Sequence, residues 1–264
     1  MILRFMKSFA MVGAGNVAWH MSQALVKAGF APLCVYSRSA EKARELAGVL
    51  GTTAVSTFAG ITDKADVYII AVKDDSIPEV ISAVAQLNKK SLYLHTAGSV
   101  SIDVFKGKTV RYGVLYPLQS FTKGRSFDFS RIPLFIEGDS SETTDDIRLL
   151  AQKISAAKVT ELNSEKRKLM HLAAVFASNF VNHCYACAAD ILNSSGVPFQ
   201  ALLPLIEETC DKVHEMSPAR AQTGPALRYD KKVMETHESM LDGTLLDVYR
   251  IMSRSIHEKS LVEP

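Results

Sequence analysis

The sequence has little excess charge and no concentrated basic region. Its 30 lysine and arginine residues nearly balance 28 aspartate and glutamate residues, which leaves a formal net charge of +2. A nucleic-acid backbone is bound by basic residues concentrated on one face or element. The densest basic run, EKRK at 165–168, is predicted to be a solvated helix face, with a phosphate contact as the alternative. The sequence therefore gives no support for a nucleic-acid partner.

Cysteine is also scarce, with four residues in a chain of 264. These are too few and too unevenly spaced for a disulfide framework, so we predict a reducing compartment and a cytoplasmic protein. Cys184 and Cys187 form a C-x-x-C pair inside an apolar helical stretch, with no second pair downstream. Because a structural zinc ion usually takes four ligands, we expect no bound metal.

Long uninterrupted apolar runs are missing as well. The start of the chain is apolar, but Arg4 and Lys7 interrupt it and a glycine motif follows, so we expect no signal peptide. Segment 169–192 is the longest apolar stretch, and polar residues at five positions would make a membrane span costly. These residues are His171, Asn179, Asn182, His183 and Asp190. We therefore predict a buried helix here and no membrane partner.

A glycine-rich turn near the start is the feature around which the chain is organised. The stretch 9–18 reads FAMVGAGNVA, an apolar run followed by a match to G-x-G-x-x-G/A. In that motif the first glycine makes a tight turn, the second lets a pyrophosphate approach, and a small third residue, here Ala18, lets helix pack on strand. A turn without a ligand is the alternative for the hexapeptide alone. The residues predicted to hold the pyrophosphate are Gly13, Ala14, Gly15, Asn16 and Val17.

Strand and helix patterns alternate after this turn. A hydrophobic fraction of 47% and a length of 264 residues favour a globular protein of two domains. We predict α/β class, with a Rossmann-type, mostly parallel sheet in domain 1–163 and an all-helical domain at 164–264. Strands are expected near 9–12, 33–36, 53–55, 65–72, 92–95, 111–116, 134–137 and 159–162. Helices are expected near 17–28, 40–50, 78–87, 145–157, 164–196, 199–216, 231–241 and 245–258.

The end of the second strand indicates which dinucleotide is bound. A carboxylate at this position selects the free 2′-hydroxyl of NAD, whereas an arginine accommodates the 2′-phosphate of NADP. This chain has Ser37, Arg38 and Ser39 there, without an acid. A guanidinium with two hydroxyl donors suits a phosphate, so we predict NADP as the cofactor. The alternative is an ordinary loop in which Ser39 caps the next helix.

The ends of later strands are expected to border the cofactor, because ligands of open α/β sheets bind outside the carboxyl ends of the strands. Tyr116 and Pro117 end the sixth strand and should face the nicotinamide, by analogy only. Asp75 or Ser76 is equally well explained as a helix N-cap. The residues predicted to border the cofactor are Val72, Lys73, Asp74, His95 and Thr96.

Polar side chains follow one stripe of the long helix predicted at 164–196. The stripe contains His171, Ser178 and Asn179. Together with Val175, Asn182 and His183, they recur at spacings of three and four residues. Such a stripe needs partners, which could be core hydrogen bonds, a subunit interface or a substrate. Because hydride transfer leaves charge on oxygen or nitrogen, we predict His171, Ser178 and Asn179 as the catalytic residues.

The loop 222–230, QTGPALRYD, combines a hydroxyl, a guanidinium and a carboxylate in a Gly-Pro turn. Arg228 could clamp an anionic substrate. Alternatively, Asp230 caps the following helix and Arg228 pairs locally. His237 lies on an apolar helix face, where packing is its default interpretation.

Motifs along nearly the whole chain carry a family resemblance: GAGNVA at Gly13, SRS at Ser37, AVKDDSI at Ala71, HTAGS at His95, YPLQSF at Tyr116, and HLAAVFASNF and TGPALRYD in the helical half. The chain resembles bacterial Rossmann-like proteins assigned as NADP oxidoreductases, which carry a poorly characterised helical C-terminal domain. Their N-terminal domain is similar to those of pyrroline-carboxylate reductase and deazaflavin-dependent NADP oxidoreductases. The resemblance implies a homodimer built on the helical halves.

The chain departs from that family at three motifs. It has Arg228-Tyr229-Asp230 where the family has Arg-Gly-Asp, Tyr116-Pro117 where the family has His-Pro, and Lys73 where a proline is common.

The leading functional hypothesis is an NADP(H)-dependent oxidoreductase that transfers hydride to or from a small carbonyl, imine or alcohol substrate held between the two domains. One alternative is hydride transfer between NADP and a flavin or deazaflavin. The other is a dimeric sensor or scaffold that binds NADP without catalysis.

Overall fold

The computed structural model describes residues 6–193 and 195–262. Contacts between Cα atoms divide the chain after Ser178. We call the described residues up to 178 the sheet unit and those from 179 onward the helical unit. The division falls later than residue 163, because the helix that begins at Ser164 packs on the sheet through the buried side chain of Arg167.

Eight strands form the sheet of the first unit, in the order β3-β2-β1-β4-β5-β6-β7-β8. All neighbouring strands are parallel except β6 and β7. The predicted α/β class with a mostly parallel, Rossmann-type sheet is thereby confirmed. The strands are β1 Ser8–Val12, β2 Ala31–Tyr36, β3 Thr53–Val55, β4 Val67–Ile70, β5 Leu92–His95, β6 Tyr112–Pro117, β7 Leu134–Gly138 and β8 Val159–Glu161.

Side-chain hydroxyls and amides determine where several helices of the sheet unit begin. Ser39, Ser140 and Asn163 each accept a hydrogen bond from a backbone N–H of the first helical turn. Gly51 ends α2 in the left-handed conformation. The helices are α1 Asn16–Lys27, α2 Ala40–Leu50, α3 Ile77–Val84, α4 Ser141–Ile154 and α5 Ser164–Ala174.

The sheet is covered on both faces. In β1, Phe9 and Met11 belong to one hydrophobic cluster, whereas Ala10 and Val12 belong to the cluster on the opposite face. All four side chains are fully buried. This alternation follows the two-residue period of a strand, and burial on both faces is typical of parallel sheets between helix layers.

Helical structure continues from α5 through a π-helical segment, Val175–Phe180, into α6, Val181–Asn193. The prediction of a buried helix at 169–192 is wrong for the single chain, since the side chains of Leu169 and Leu172 are 67% and 54% exposed. The periodicity shows an apolar face but not what covers it.

The described part of the helical unit contains helices and no strand, as predicted. Its residues are almost all exposed or half-buried, and among those described only Ala226 and Ser253 are buried. A short helix, α8 Pro218–Ala221, lies between the helices predicted at 199–216 and 231–241, where no helix was expected. The helices are α6 Val181–Asn193, α7 Leu203–Glu215, α8 Pro218–Ala221, α9 Lys231–Glu238 and α10 Gly243–Ser260.

Two properties of the described residues bear on the composition arguments. No helix among them combines the length and the apolar character that crossing a membrane would require. The four cysteines are all free thiols. The cytoplasmic location stays a prediction.

Candidate functional site

The central strands of the sheet end at the same level. Val12 at the end of β1 pairs with Tyr36 of β2 and Ile70 of β4, and Ile70 pairs with His95 of β5. The loops that follow these strands therefore meet at one edge of the sheet, where ligands of open α/β sheets bind.

Gly13 makes the tight turn after β1. Its φ is +128°, and its N–H donates a hydrogen bond to the Tyr36 carbonyl oxygen at 2.8 Å. A Cβ at this position would lie 2.1 Å from the carbonyl oxygen of Ala71, so only glycine fits. Gly15 differs, because a Cβ built there meets nothing within 4 Å. The space beside Gly15 is open to a ligand.

The N-terminus of α1 follows at once. Gly15 occupies its N-cap position, so no side chain caps the first turn, and the unpaired N–H groups are available to an anion. The side-chain amide of Asn16 donates to the Phe121 carbonyl oxygen at 2.9 Å. This bond does not use the backbone N–H of Asn16, which stays in the first turn of α1. Ala18 is fully buried in the core. This close helix–strand packing matches the role predicted for its small side chain.

A cleft of about 540 Å³ extends from this turn along the strand ends. Twelve of the thirteen residues predicted to bind the cofactor line it. They are Gly13, Ala14, Gly15, Asn16, Val17, Ser37, Arg38, Ser39, Val72, Lys73, Asp74 and Thr96. The loops thus bring the glycine turn and the basic loop into one concave surface, and the roles of the individual residues stay predictions.

The basic side of the cleft is formed by the loop after β2 and the start of α2. Arg38 lies there beside Ser39, whose hydroxyl accepts the Lys42 N–H at 3.3 Å and so caps α2. The capping alternative and a place in the cleft are therefore both observed for Ser39. Lys42 also lines the cleft. Our sequence reasoning missed it, although it lies in the first turn of the helix that directly follows the Arg38 loop.

An aromatic pair and one carboxylate complete this end of the cleft. Tyr36 and Phe58 stack with ring centroids 4.8 Å apart, and Phe58 and Glu79 line the cleft as well. Burial raises the pKa of Tyr36, and Glu79 contributes in the same direction while Arg38 opposes it. Phe58 and Glu79 were not predicted, because they come from a short 3₁₀ turn and from α3, which carry no recognisable motif.

The thirteenth residue, His95, lies in the core instead of the cleft. Its ring is fully buried and stacks on Phe105 with centroids 5.7 Å apart. Its Nδ1 accepts the Ala97 N–H at 3.2 Å. Burial, with a smaller contribution from the positive charge of Arg167, lowers the pKa of His95 to about 3. Side chains alternate along a strand, so His95 faces inward with Tyr93 while Thr96 reaches the cleft.

A second polar cluster lies at the same sheet edge, beyond Thr96. The Ser99 hydroxyl donates to the Asp74 carboxylate. The Tyr116 hydroxyl and His171 Nδ1 are 3.0 Å apart. Gly98, next to Ser99 in the chain, lies against the His171 ring, because a Cβ there would be only 2.8 Å from that ring. The structure therefore brings His171, one of the three predicted catalytic residues, to the ends of β5 and β6.

A buried ion pair attaches α5 to the sheet. Arg167 is fully buried and pairs with Glu137 of β7, and it also donates to the Val100 carbonyl oxygen. Glu137 in turn accepts the Ser164 N–H at 3.0 Å and the Ser164 hydroxyl at 2.9 Å. These bonds hold the first turn of α5 in place, which positions His171 one turn further along the helix.

The other two predicted catalytic residues lie in the π-helical segment. Ser178 is half-buried and ends the sheet unit, and Asn179 is exposed and begins the helical unit. π-Helical segments often occur at functional sites. The catalytic roles of Ser178 and Asn179 stay predictions.

The loop 222–230 of the helical unit contains an unusual backbone conformation. Tyr229 has a φ of +54° and stacks on His257 with ring centroids 4.1 Å apart. A tyrosine is unusual here, because glycine is the residue that favours this conformation. Asp230 accepts the Val233 N–H at 3.2 Å and caps α9, in agreement with the alternative noted above. His237 approaches the Tyr249 hydroxyl at 3.0 Å.

No group of three or more potential metal ligands occurs among residues 6–193 and 195–262. In the C-x-x-C pair, the sulfur of Cys187 lies 3.7 Å from His183 Nε2.

Two family models match the chain. Residues 8–97 match the model described as NADP oxidoreductase, coenzyme F420-dependent. Residues 132–256 match a domain of unknown function, DUF2520. The curated proteins contain no match.

Solved structures resemble the whole chain. A Bacteroides fragilis protein, provisionally named an NADP oxidoreductase, is 42% identical over 96% of this chain and 98% of its own, with a TM-score of 0.91. A Thermotoga maritima protein is 25% identical over 97% and 99%, with a TM-score of 0.69. An imine reductase from Myxococcus stipitatus, in complex with NADP⁺, is 13% identical over 96% and 93%, with a TM-score of 0.68, and this likeness shows the fold alone. The predicted resemblance is thereby confirmed.

Proposed function

The chain belongs to the NADP oxidoreductase family represented by the Bacteroides fragilis protein, and we propose that it transfers hydride between NADP(H) and a small carbonyl, imine or alcohol substrate. The observation that carries this proposal is the single cleft that joins the glycine turn after β1 to the basic loop after β2.

The residues along the cleft fit the parts of an NADP molecule. The uncapped N-terminus of α1 and the open space beside Gly15 suit the pyrophosphate. Arg38 and Lys42, with the hydroxyls of Ser37 and Ser39, suit the 2′-phosphate. Lys73, Asp74 and Thr96 border the end of the cleft toward the second polar cluster. Bound NADPH would supply the hydride.

Side chains of this protein must stabilise the charge that hydride transfer leaves on the substrate. His171 is the donor that we place beside the substrate, with Ser178 and Asn179 as further polar contacts. An imine is an attractive substrate class because the Myxococcus stipitatus enzyme with this fold is an imine reductase. We therefore include cyclic imines in the first substrate panel.

We further propose a homodimer built on the helical unit. Among the described residues of this unit, only Ala226 and Ser253 are buried, while large apolar side chains such as Leu205 and Met240 are exposed. A chain segment that buries so little apolar surface cannot offset the conformational entropy lost on folding. A second copy would supply the missing apolar contacts.

Cofactor choice tests the binding site. We expect the wild-type protein to bind NADPH more tightly than NADH in a fluorescence titration. Arg38→Ala should weaken NADPH binding by about 10- to 100-fold, which corresponds to one charged hydrogen-bonding group, and leave NADH binding nearly unchanged. Arg44→Ala is the matched control, because Arg44 is exposed on α2 and does not line the cleft. Wild-type binding of NADH as tight as that of NADPH would contradict the assignment.

Turnover tests the chemistry. NADPH oxidation is followed with a panel of cyclic imines, ketones and aldehydes, and NADP⁺ reduction with alcohols. On a substrate that is turned over, His171→Ala and Asn179→Ala should each lower kcat, and unchanged turnover in both would contradict their assignment. Bleaching of added flavin or deazaflavin by NADPH would favour the alternative acceptor. Tight NADPH binding without turnover on any panel would favour a sensor or scaffold.

A further inference from the structure

A hydrogen bond joins the side chains of Tyr116 and His171. The two residues lie 55 positions apart in the chain, and the Tyr116 hydroxyl is 3.0 Å from His171 Nδ1. The two rings meet edge to face, with centroids 5.9 Å apart and an interplanar angle of 75°. This geometry leaves Nε2 on the side of the imidazole ring away from the tyrosine.

Both rings are held by their surroundings. Tyr116 belongs to a small hydrophobic cluster with Val114 and Phe135, so its ring is packed on the sheet. The His171 ring lies against Gly98, with no room for a Cβ between them. The ion pair of Arg167 with Glu137 holds α5 one turn earlier. A ring fixed in this way keeps its hydrogen bond without a large entropy loss.

The direction of the hydrogen bond follows from the tyrosine. A phenol has a single proton to donate, and burying it without an acceptor is unfavourable. Among the hydrogen bonds of the described residues, His171 Nδ1 is the acceptor available to the Tyr116 hydroxyl. Burial and the charge of Asp74 both raise the pKa of Tyr116, against an opposing contribution from Arg167, so the phenol keeps its proton. Nδ1 must then offer its lone pair.

We infer that Tyr116 is a positioning residue that holds neutral His171 in the tautomer protonated at Nε2, so that Nε2–H is the group presented to the substrate. The hydrogen bond at one ring nitrogen sets the protonation of the other. The tautomer rests on the contact itself, whereas its use in catalysis rests on the proposed function. The charged groups around this pair are Asp74, which follows β4, and the ion pair between Glu137 of β7 and Arg167 of α5 itself.

The tautomer can be measured without any substrate. Long-range ¹H–¹⁵N correlation spectra of protein labelled with ¹⁵N-histidine distinguish a protonated Nε2 from a protonated Nδ1 in a neutral ring. The chain has seven histidines, and the spectrum of His171→Gln identifies the signals of His171. At about pH 8, where histidine is commonly neutral, we expect the pattern of the Nε2–H tautomer. A pattern of the Nδ1–H tautomer in the wild-type protein overturns the inference.

Tyr116→Phe removes the hydroxyl and keeps the aromatic ring that packs on Phe135. We expect His171 in this variant to become a mixture of tautomers and kcat on a substrate identified by the panel to fall about 10-fold or more. Its affinity for NADPH and its thermal unfolding midpoint should change little. Tyr112→Phe is the matched control, since Tyr112 begins the same strand and stacks on Phe105. It should keep both the tautomer pattern and kcat.

The outcomes separate this inference from the proposed function. If no panel substrate is turned over but the wild-type spectrum shows the Nε2–H tautomer and the Tyr116→Phe spectrum shows a mixture, the proposed function fails and the positioning by Tyr116 is supported. If kcat of Tyr116→Phe equals that of the wild type while its tautomer changes, the catalytic use of the pair is overturned. An unchanged tautomer in Tyr116→Phe overturns the positioning role itself.

Discussion

The two units of this chain differ in how they bury their apolar residues. In the sheet unit, strands such as β1 and β4 place fully buried side chains on both faces of the sheet. In the described helical unit, only Ala226 and Ser253 are buried. The sheet unit therefore contains its own core and the cleft that we propose as the NADP site, whereas few apolar side chains of the described helical unit are buried. If the helical unit forms the proposed dimer, this difference predicts that cofactor binding and subunit association can be disturbed separately.

The largest effect is expected from a charge on the helical unit. Leu205 of α7 is 62% exposed, and Leu205→Glu would bury a carboxylate in the proposed dimer contact. An unpaired buried charge costs several kcal/mol, so we expect about 100-fold or weaker association. Light scattering after size exclusion should then give the mass of one chain, 28.9 kDa.

The matching control lies on the sheet unit. Val110 is 66% exposed, and Val110→Glu should leave the mass of the wild-type dimer and change the unfolding free energy by no more than about 0.5 kcal/mol. Two results would contradict this difference between the units. One is a wild-type protein with the mass of one chain, and the other is an equal effect of the two substitutions on the measured mass.

The next effect concerns the two glycines of the cofactor turn. Gly13→Ala places a Cβ 2.1 Å from the Ala71 carbonyl oxygen at a φ of +128°, so we expect a loss of about 2 to 3 kcal/mol of stability together with loss of NADPH binding. Gly15→Ala meets nothing within 4 Å and should keep the unfolding midpoint. Its methyl group should still weaken NADPH binding, because we propose that the pyrophosphate approaches there.

Thermal unfolding and fluorescence titration distinguish the two glycine variants. Equal stability of both would mean that the turn can relax around a side chain at residue 13. Full NADPH affinity in Gly15→Ala would argue against a pyrophosphate at this position.

A pH-dependent effect is expected in the sheet unit. Because the pKa of His95 is about 3 in the folded protein and 6.5 is its ordinary value, the unfolded state binds the extra proton between these two values. Stability is therefore lost as the pH falls from about 6.5 toward 3, by about 2 kcal/mol between pH 6.5 and pH 5.

His95→Asn provides the comparison in urea unfolding at several pH values. Its side-chain oxygen could still accept the Ala97 N–H, but it does not titrate. The difference in unfolding free energy between wild type and variant should shrink as the pH falls. A constant difference would show that His95 becomes protonated in the folded state.

The smallest effect is expected in the helical unit, at Tyr229. Tyr229→Ala loses the stacking on His257 but keeps a left-handed backbone, and should lower stability by about 1 kcal/mol. Tyr229→Gly loses the same stacking but removes the backbone strain, so it should recover most of this loss. Chemical denaturation measures both, and lower stability of the glycine variant would contradict the role of strain.

Much of the sheet unit was predictable because its signals are local. The glycine motif at residues 13–18, the alternation of strands and helices, and the acid-free loop at Arg38 each occupy a short stretch of sequence. Parallel strands then bring the loops after their carboxyl ends to one edge. This explains why twelve of the thirteen proposed cofactor residues line one cleft, while Lys42, Phe58 and Glu79 had no motif to identify them.

The sequence by itself determined the α/β class, the glycine turn and the position of the basic loop, since each depends on backbone preferences and side-chain periods within a few residues. Only the tertiary structure decided that His95 faces the core, that Tyr116 meets His171, and that Leu169 and Leu172 are left exposed. These properties depend on contacts between residues far apart in the chain. A local pattern shows that a side chain needs a partner, but the packing of distant elements determines which partner it finds.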